Sequence, residues 1–475
     1  LIFDEAHNMQ NSLEQETERG DSRPAAKALA SVTLQQKLPK ARIVYASATA
    51  ASRVDALAYS DRVGLWGEGT AFASKTDFVN SIASSGLGAM EIVAQNMKAM
   101  GGYISRNLDY RDVRYRKLEH PLTDFQTEGY NEMAKMWQVV FQNLEEALKA
   151  TGVMGVNRRG ETTTKNAAAK SAALAQFWGA NQRFFNQVLT SMQMPSVLED
   201  MKKQLAADKS ILVQLVNTNE SIMARQLQNM EQSGGDLEGV DMTPLQNLIQ
   251  YVESAFPIHQ MEEYTDEDGN TRTRLAKDSQ GNPIINKEAV QMRDALIEKV
   301  TSMKVVPEGP LELILNTFGP GMVAEVTGRS ERVLRINDEE EGTTAQQREK
   351  RSPAAVREDV TAFMAGKKRI LVFSDKGGTG ESYHADKTKK NQQQRVHYLI
   401  QPGWRADKAV QGLGRSHRTN QASAPEYVLT MTNIKGHKRF ISTIARRLDQ
   451  LGALTKGQRQ AGSSGLIEAK DDLEK

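Results

Sequence analysis

Five short apolar runs constrain this chain more than any other feature. They are ILVQLV at 211–216, VAEVTG at 323–328, RILVFS at 369–374, VHYLI at 396–400 and YVLTM at 427–431. Most are rich in β-branched residues and show little polar alternation, the pattern of strands covered on both faces. Stretches with helical spacing separate them, and strands alternating with helices predict an open α/β sheet. Residues 1–3 and the run RIVYA at 42–46 read as two further buried strands. Residues 20–40 between them read as helix or loop. From 124 to 150, Met133, Met136, Trp137, Val140, Phe141, Leu144 and Leu148 recur at helical intervals and predict an amphipathic helix. Residues 151–170 lack apolar periodicity and read as a flexible linker or exposed loop. Asp-Gly at 268–269 and Gly-Asn-Pro at 281–283 mark an exposed β-hairpin within 262–287.

Length and composition narrow the function classes. A chain of 475 residues predicts roughly two to four domains. It has no cysteine, which excludes disulfides and Cys-zinc sites. Its seven histidines are scattered without ligand spacing, so a His-only metal site is not expected. No apolar run reaches the length of a membrane span. Opening on Leu1, inside an apolar strand, the chain reads as the C-terminal piece of something longer.

Asp4-Glu5-Ala6-His7 directly follows the first apolar run. Carboxylates at the carboxyl end of a parallel strand sit where α/β sheets bind ligands. One can hold Mg²⁺ through water while the other orients and deprotonates an attacking water. This is the Walker B, or DEAH, pattern. An acidic helix N-terminus favoured by the helix dipole is the plainer alternative. Ser47-Ala48-Thr49 follows the strand at 42–46, where its hydroxyls can reach the neighbouring carboxylates or simply cap a helix.

The stretch 369–421 holds two competing patterns. Lys376-Gly377-Gly378-Thr379-Gly380 after a strand suggests a phosphate loop of the partition-ATPase kind, but Glu381 stands where its lysine should be and would repel phosphate. No GxxxxGK[ST] occurs in the chain. The stretch reads better as a Gly-rich turn at a strand end. Gln411, Gly414, Arg415 and Arg418 then form QxxGRxxR. A helical run would put these four on one face, where two guanidiniums could reach a γ-phosphate in a facing lobe. The alternative is a basic surface helix paired with acidic neighbours. Charge is also uneven: residues 342–420 carry 16 Lys+Arg against 7 Asp+Glu, although the whole chain is only +2. Lys387, Lys389 and Lys390 are a dense cluster that could track a phosphate backbone, or be a solvated surface.

DEAH, SAT, the GGTG turn and QGLGRSHRTNQ occur in this order. Together with LIFDEAHNMQN, MVAEVTGRSERV, and GGTGESYHAD followed by VHYLIQPGWRADKAVQGLGRSHRTNQ, they resemble the Strawberry notch family of superfamily-two helicases over about residues 1–450. That family includes phage and plasmid helicase-like members, and the matching stretch of Swi/Snf-type translocases is similar. The resemblance implies an α/β fold of two RecA-like lobes with parallel sheets flanked by helices, the first lobe truncated, plus a helical segment and a hairpin-like insertion. It implies a first lobe at 1–122, a helical connector and linker at 123–180, a second lobe at 181–450 with an insertion at about 225–320, and a polar tail at 451–475.

The resemblance also implies ATP and Mg²⁺ as cofactors and nucleic acid, DNA favoured, as partner. Asp4 would hold Mg²⁺ and Glu5 would activate water. His7 would couple to the second lobe, and Ser47 and Thr49 would link hydrolysis to movement. Gly378 and Gly380 would lie near the nucleotide, and Gln411, Arg415 and Arg418 would contact it. The implied activity is helicase or translocase; a non-catalytic, DNA-associated regulatory scaffold is the alternative. Without Walker A, the 475-residue chain alone is expected neither to bind ATP tightly nor to hydrolyse it. A bacterial cytoplasm is the expected setting, or a nucleus if the source is eukaryotic.

Overall fold

The computed structural model describes residues 1–13, 24–47, 54–104, 112–156, 159–160, 162–216, 243–265, 271–303, 307–338, 343–374, 381–401 and 406–438, with single positions 218, 220, 224, 227 and 228. The first part is small. Strands β1 (Ile2–Phe3) and β2 (Val44–Tyr45) pair in parallel, Ile2 against Val44 and Phe3 against Tyr45. Helix α1 (Ala26–Lys37) packs beside them. Its buried Gln35 donates to the Tyr59 carbonyl at 2.9 Å and accepts the Tyr45 hydroxyl. Helix α2 (Lys75–Ala99) starts at Ser74, which caps the Asp77 amide, and breaks at Gly86, whose φ of 73° is a glycine conformation. The expectation that both strands are buried fails. Ile2 is 76% exposed and Val44 56%. These paired residues share a face that, among the described residues, no layer covers.

The larger part is built on a six-stranded, wholly parallel sheet. In chain order its surroundings are β3 (Arg114–His120), α3 (Asp124–Ala150), β4 (Met154–Val156), β5 (Thr162–Thr164), α4 (Ala167–Met192), α5 (Met194–Ala206) and β6 (Ser210–Leu215). There follow α6 (Leu245–Ala255), β7 (Met261–Thr265), β8 (Thr271–Leu275), α7 (Lys287–Thr301), α8 (Pro310–Phe318), β9 (Val323–Val326), β10 (Glu331–Asp338) and β11 (Thr343–Lys350). The last elements are α9 (Pro353–Met364), β12 (Ile370–Ser374), β13 (Arg395–Leu399), α10 (Ala406–Leu413) and β14 (Glu426–Thr432). The sheet order is β3-β14-β13-β6-β12-β9. The five apolar runs expected as strands all lie in it. Alternate residues make two cores. Ile211, Val213, Val372, Val396 and Val428 face α5 and α8. Leu212, Leu371 and Phe373 face α9. The connection from β12 to β13 crosses β6, so loops leave the sheet on either side of the β6 carboxyl end, where open α/β sheets bind ligands.

Helices α3, α4, α6 and α7 form a bundle with its own core around Met133, Trp137, Leu144, Phe177, Phe184 and Leu248. The α3 amphipathic expectation holds, and the helix opens with a Thr123–Gln126 capping box. The expected hairpin at 262–287 is β7–β8. The stretch 151–170, expected as linker or loop, instead carries the β4–β5 hairpin and the start of α4. Val153 and Met154 join the bundle core, whereas β5, Thr162–Thr164, is exposed, so no apolar periodicity announces the hairpin. Strand β3 and the β10–β11 hairpin had no apolar signal either. Their charges are satisfied by neighbouring elements: Arg116 reaches Asp200 of α5 at 2.7 Å and Glu426 of β14 at 2.9 Å. Likewise Arg332 meets Glu349 at 2.8 Å and Arg348 meets Glu331 at 2.7 Å.

Candidate nucleotide site

Asp4 and Glu5 lie at the carboxyl end of β1, both exposed. The Glu5 amide donates to Asp4 Oδ1 at 3.0 Å, and Glu5 has φ of 48°. That left-handed conformation costs a side-chain-bearing residue on the order of 1 kcal/mol, and such positions cluster at functional sites. Buried Ala6 donates its amide to Ala46 at 2.9 Å, which sets Ser47 beside the acidic turn. The first-lobe motifs are therefore neighbours. His7 belongs to the 3-10 turn Ala6–Met9. Thr49 lies outside the described residues, as do Gly378 and Gly380. An exposed carboxylate at a strand end suits Mg²⁺, which keeps most of its water and takes one or two carboxylates; Asp4 fits it.

The second-lobe arginines do not share a helical face. Helix α10 ends at Leu413, and residues 414–416 form a turn. Gln411 is thus the one member of QxxGRxxR inside the helix. The Arg415 amide donates to Gly412 at 3.0 Å and the Ser416 amide to Leu413 at 3.2 Å. The chain turns because the sheet offers better partners than another helical turn would. Ser416 Oγ lies 2.9 Å from His397 Nδ1 on β13, and the Tyr427 hydroxyl of β14 donates to the Leu413 carbonyl at 2.8 Å. His397 is fully buried, which pushes its pKa down to about 3, so it is neutral at this contact. Phe373, His397, Tyr427 and Tyr115 make a ladder of rings over β12, β13, β14 and β3, with β6 running between β12 and β13, centroids 5.3–5.6 Å apart. The Arg415 guanidinium lies 5.4 Å from the Phe373 ring centre.

The turn does bring both arginines to one place. Arg415 Nη1 donates to the Glu381 carbonyl at 3.2 Å and Arg418 Nε to Ser382 Oγ at 3.2 Å. Glu381 and Ser382 directly follow the Gly-rich stretch in sequence. The Tyr383 amide donates to the Arg415 carbonyl at 2.7 Å, the Ala422 amide to Ala385 at 2.6 Å, and Asn420 to Asp386 at 3.0 Å. Below this staple lies Arg395, fully buried and facing only neutral acceptors. It donates to the carbonyls of Tyr383, His384, Asn391 and Gln393. Burial lowers its pKa to about 10, so it stays charged. Lys387, Lys389 and Lys390 sit just beyond the staple on an exposed turn, with Gln392 donating to the Lys387 and Lys389 carbonyls. Lys368, in the basic run Lys367-Lys368-Arg369, is instead committed to Asp359 at 2.6 Å.

Two sequence profiles match the chain. One, described as the C-terminal domain on Strawberry notch homologue, matches residues 309–475; the other, described as P-loop containing NTP hydrolase pore-1, matches residues 1–132. Strawberry notch homolog 1 of Rattus norvegicus is 32% identical over 98% of this chain and 40% of its own length. The chain belongs to the Strawberry notch family. It is also similar to FORGETTER 1 of Arabidopsis thaliana, 28% identical over 98% of this chain and 43% of that protein. Strawberry notch of Drosophila melanogaster is 24% identical over 97% and 40%. The chain thus spans about two fifths of the length of the curated relatives it matches. It has the helicase-like make-up of that family, with a P-loop NTPase-type and a helicase C-terminal-type domain.

In this Strawberry notch chain, neither matched profile covers 133–308, which holds most of the helical bundle. Among the described residues no helix is long and apolar enough to cross a membrane. Sequence reasoning missed Phe373, His397, Tyr427 and Arg395 as supports of the arginine turn. Each reads as an ordinary strand residue, and only the register shows that the first three line up under the turn.

Proposed function

We propose that this chain is the motor portion of an ATP-dependent nucleic-acid helicase or translocase. ATP lies between the acidic turn of the first lobe and the arginine turn of the second. The observation that supports this most is the convergence of Arg415 and Arg418 on Glu381 and Ser382 at the carboxyl end of a parallel sheet. Asp4 holds Mg²⁺, which when bound neutralises charge on the phosphate oxygens. Glu5 orients and deprotonates the attacking water. Arg415 and Arg418 stabilise charge that builds on the transferring phosphoryl group. Gln411 contacts the nucleotide, Gly414 keeps the turn compact, and Gly378 and Gly380 border the phosphates. His7, Ser47 and Thr49 pass the state of the site to the track. The place of work is where nucleic acid is, a bacterial cytoplasm or a eukaryotic nucleus.

The test is ATP turnover, with and without DNA, by the native protein that carries this sequence. Glu5→Gln and Arg418→Ala are each expected to lower kcat by about 10²–10⁴-fold. Arg418 is exposed, so its loss should leave the melting temperature unchanged. Turnover indifferent to both changes removes the reading. The 475-residue chain alone, lacking GxxxxGK[ST], is expected to be silent.

DNA is the favoured track, with Lys387, Lys389 and Lys390 on its phosphates. Reversing all three charges should flatten the slope of log affinity against log salt by about 3 units. An unchanged slope takes these lysines out of the interface.

A further inference from the structure

Strand β6 reads Ser-Ile-Leu-Val-Gln-Leu, and all six residues are buried. Gln214 is an amide at 2% exposure in the central part of a parallel sheet, where an aliphatic side chain would avoid the cost of desolvation. The register sets it between Phe373 of β12 and Leu399 of β13, on the face that carries the ring ladder. Its amide fills the space beside Gly412. A Cβ built on Gly412 would stand 2.0 Å from Gln214 Oε1 and 2.2 Å from its amide carbon, far inside contact distance. Glycine in a helix costs about 1 kcal/mol relative to alanine, and this close approach accounts for it. The Gly412 carbonyl in turn accepts the Arg415 amide at 3.0 Å. Gln214 lies under Gly412, and its register neighbour Phe373 lies by the Arg415 guanidinium.

We infer that Gln214 is a positioning residue for the arginine turn: its amide, seated against Gly412, sets where α10 ends and so where Arg415 and Arg418 project. The role of the two arginines rests on the function proposed above; the pairing of Gln214 with Gly412 does not. Asn186 of α4 marks how the same strand end is tied to the helical bundle. Gln401, just after β13, donates to Asn186 Oδ1 at 2.9 Å and accepts the Val216 amide at 3.1 Å. The seat is held from both sides, so a displaced Gly412 cannot be absorbed by sliding the end of β6.

The experiment compares Gly412→Ala, Gln214→Ala, the double variant, and Gly412→Ala combined with Gln214→Leu. Amide exchange across 413–418 is read on the 475-residue chain. Preference for a non-hydrolysable ATP analogue over ADP is read on the native protein that carries it. Gly412→Ala should speed exchange at Arg415 and weaken the triphosphate preference, each about tenfold. Gln214→Ala makes room for the new methyl, so the double variant should return to within about twofold of wild type. Gln214→Leu keeps the bulk and should not rescue. Additive effects in the double variant, or an innocuous Gly412→Ala, overturn the inference. Rescued exchange with an unmoved triphosphate preference also overturns the positioning role. If the wild-type protein binds no ATP, it is the proposed function that fails, and exchange alone then decides whether Gln214 sets the turn.

Discussion

The arginine turn and the acidic turn are built in opposite ways. The arginine turn stands on a six-stranded sheet and is held by His397, Tyr427, Phe373 and the Tyr383 amide, contributions from three strands and a stapled loop. The acidic turn follows a two-residue strand in a two-stranded sheet, with Ile2 and Val44 largely in solvent. Side-chain length explains part of the contrast. A guanidinium ends a long, rotamer-rich chain, and fixing it costs up to about 2 kcal/mol of entropy, so the surroundings must constrain it. A carboxylate on Asp or Glu has fewer torsions to fix and is aimed chiefly by its backbone. In the acidic turn that aiming is done by the left-handed Glu5.

The largest effect that tests this contrast concerns the sheet side. Arg329 follows β9 with its side chain 2% exposed. It pairs with Glu312 of α8 at 2.5 Å and donates to the Thr218 carbonyl, beyond β6, at 2.6 Å. Arg329→Met strands the Glu312 carboxylate in a nearly dry place, and should cost about 3–5 kcal/mol in urea unfolding. A cost under about 1 kcal/mol would show that the sheet end is not held by its buried charges, and the contrast with the acidic side would lose its basis.

Legibility in the sequence divides along a related line. Where burial is two-sided, the residues announce it: ILVQLV, RILVFS and VHYLI read as strands because apolar residues dominate both faces, with Gln214 and His397 among the buried exceptions. The motifs were equally legible as residue types. Their geometry was not. Arg415 and Arg418 look helical by spacing, whereas in the structure His397 and Tyr427 hold residues 413–416 in the turn that follows the helix. Those partners are remote in sequence, so no local pattern carries them. Strand β3 was hidden for a similar reason. Arg-Tyr-Arg-Lys-Leu-Glu-His is a strand only because β14 supplies its ladder and Asp200 and Glu426 its counter-charges.

Acid should separate the two regions by an intermediate amount. Burial holds His397 at about 3 and His437 at about 4, against an ordinary value of 6.5. Both are neutral in the folded protein, and the unfolded chain takes up protons first as pH falls below about 6.5. Their contribution is therefore complete above 6.5 and shrinks through the window down to their folded values. At pH 5 the loss is on the order of 2 kcal/mol for each. Asp200, Asp359 and Glu426 are shifted down despite burial, because hydrogen bonds and charges from Arg116, Lys368, Arg351 and Lys209 outweigh it. Their contributions go only at lower pH, within the carboxylate range. Urea midpoints between pH 7 and 5 should fall, and His437→Gln should remove about half of the fall. A flat profile would mean that these imidazoles are reached by water.

The smallest effect is the most direct comparison, because one substitution can be made in both regions. Val44 and Val213 are both strand residues in parallel pairs, one 56% exposed and the other 0%. Valine to threonine keeps the shape and exchanges a methyl for a hydroxyl. At 213 the hydroxyl enters a face packed against α5 and α8, and without a partner it should cost about 1–3 kcal/mol. At 44 the hydroxyl meets water, and the change should stay within about 0.5 kcal/mol. Equal costs at the two positions would mean that the face of Ile2 and Val44 is covered in solution. The acidic turn would then be as firmly seated as the arginine turn, and the left-handed Glu5 would no longer be needed to explain how its carboxylate is aimed.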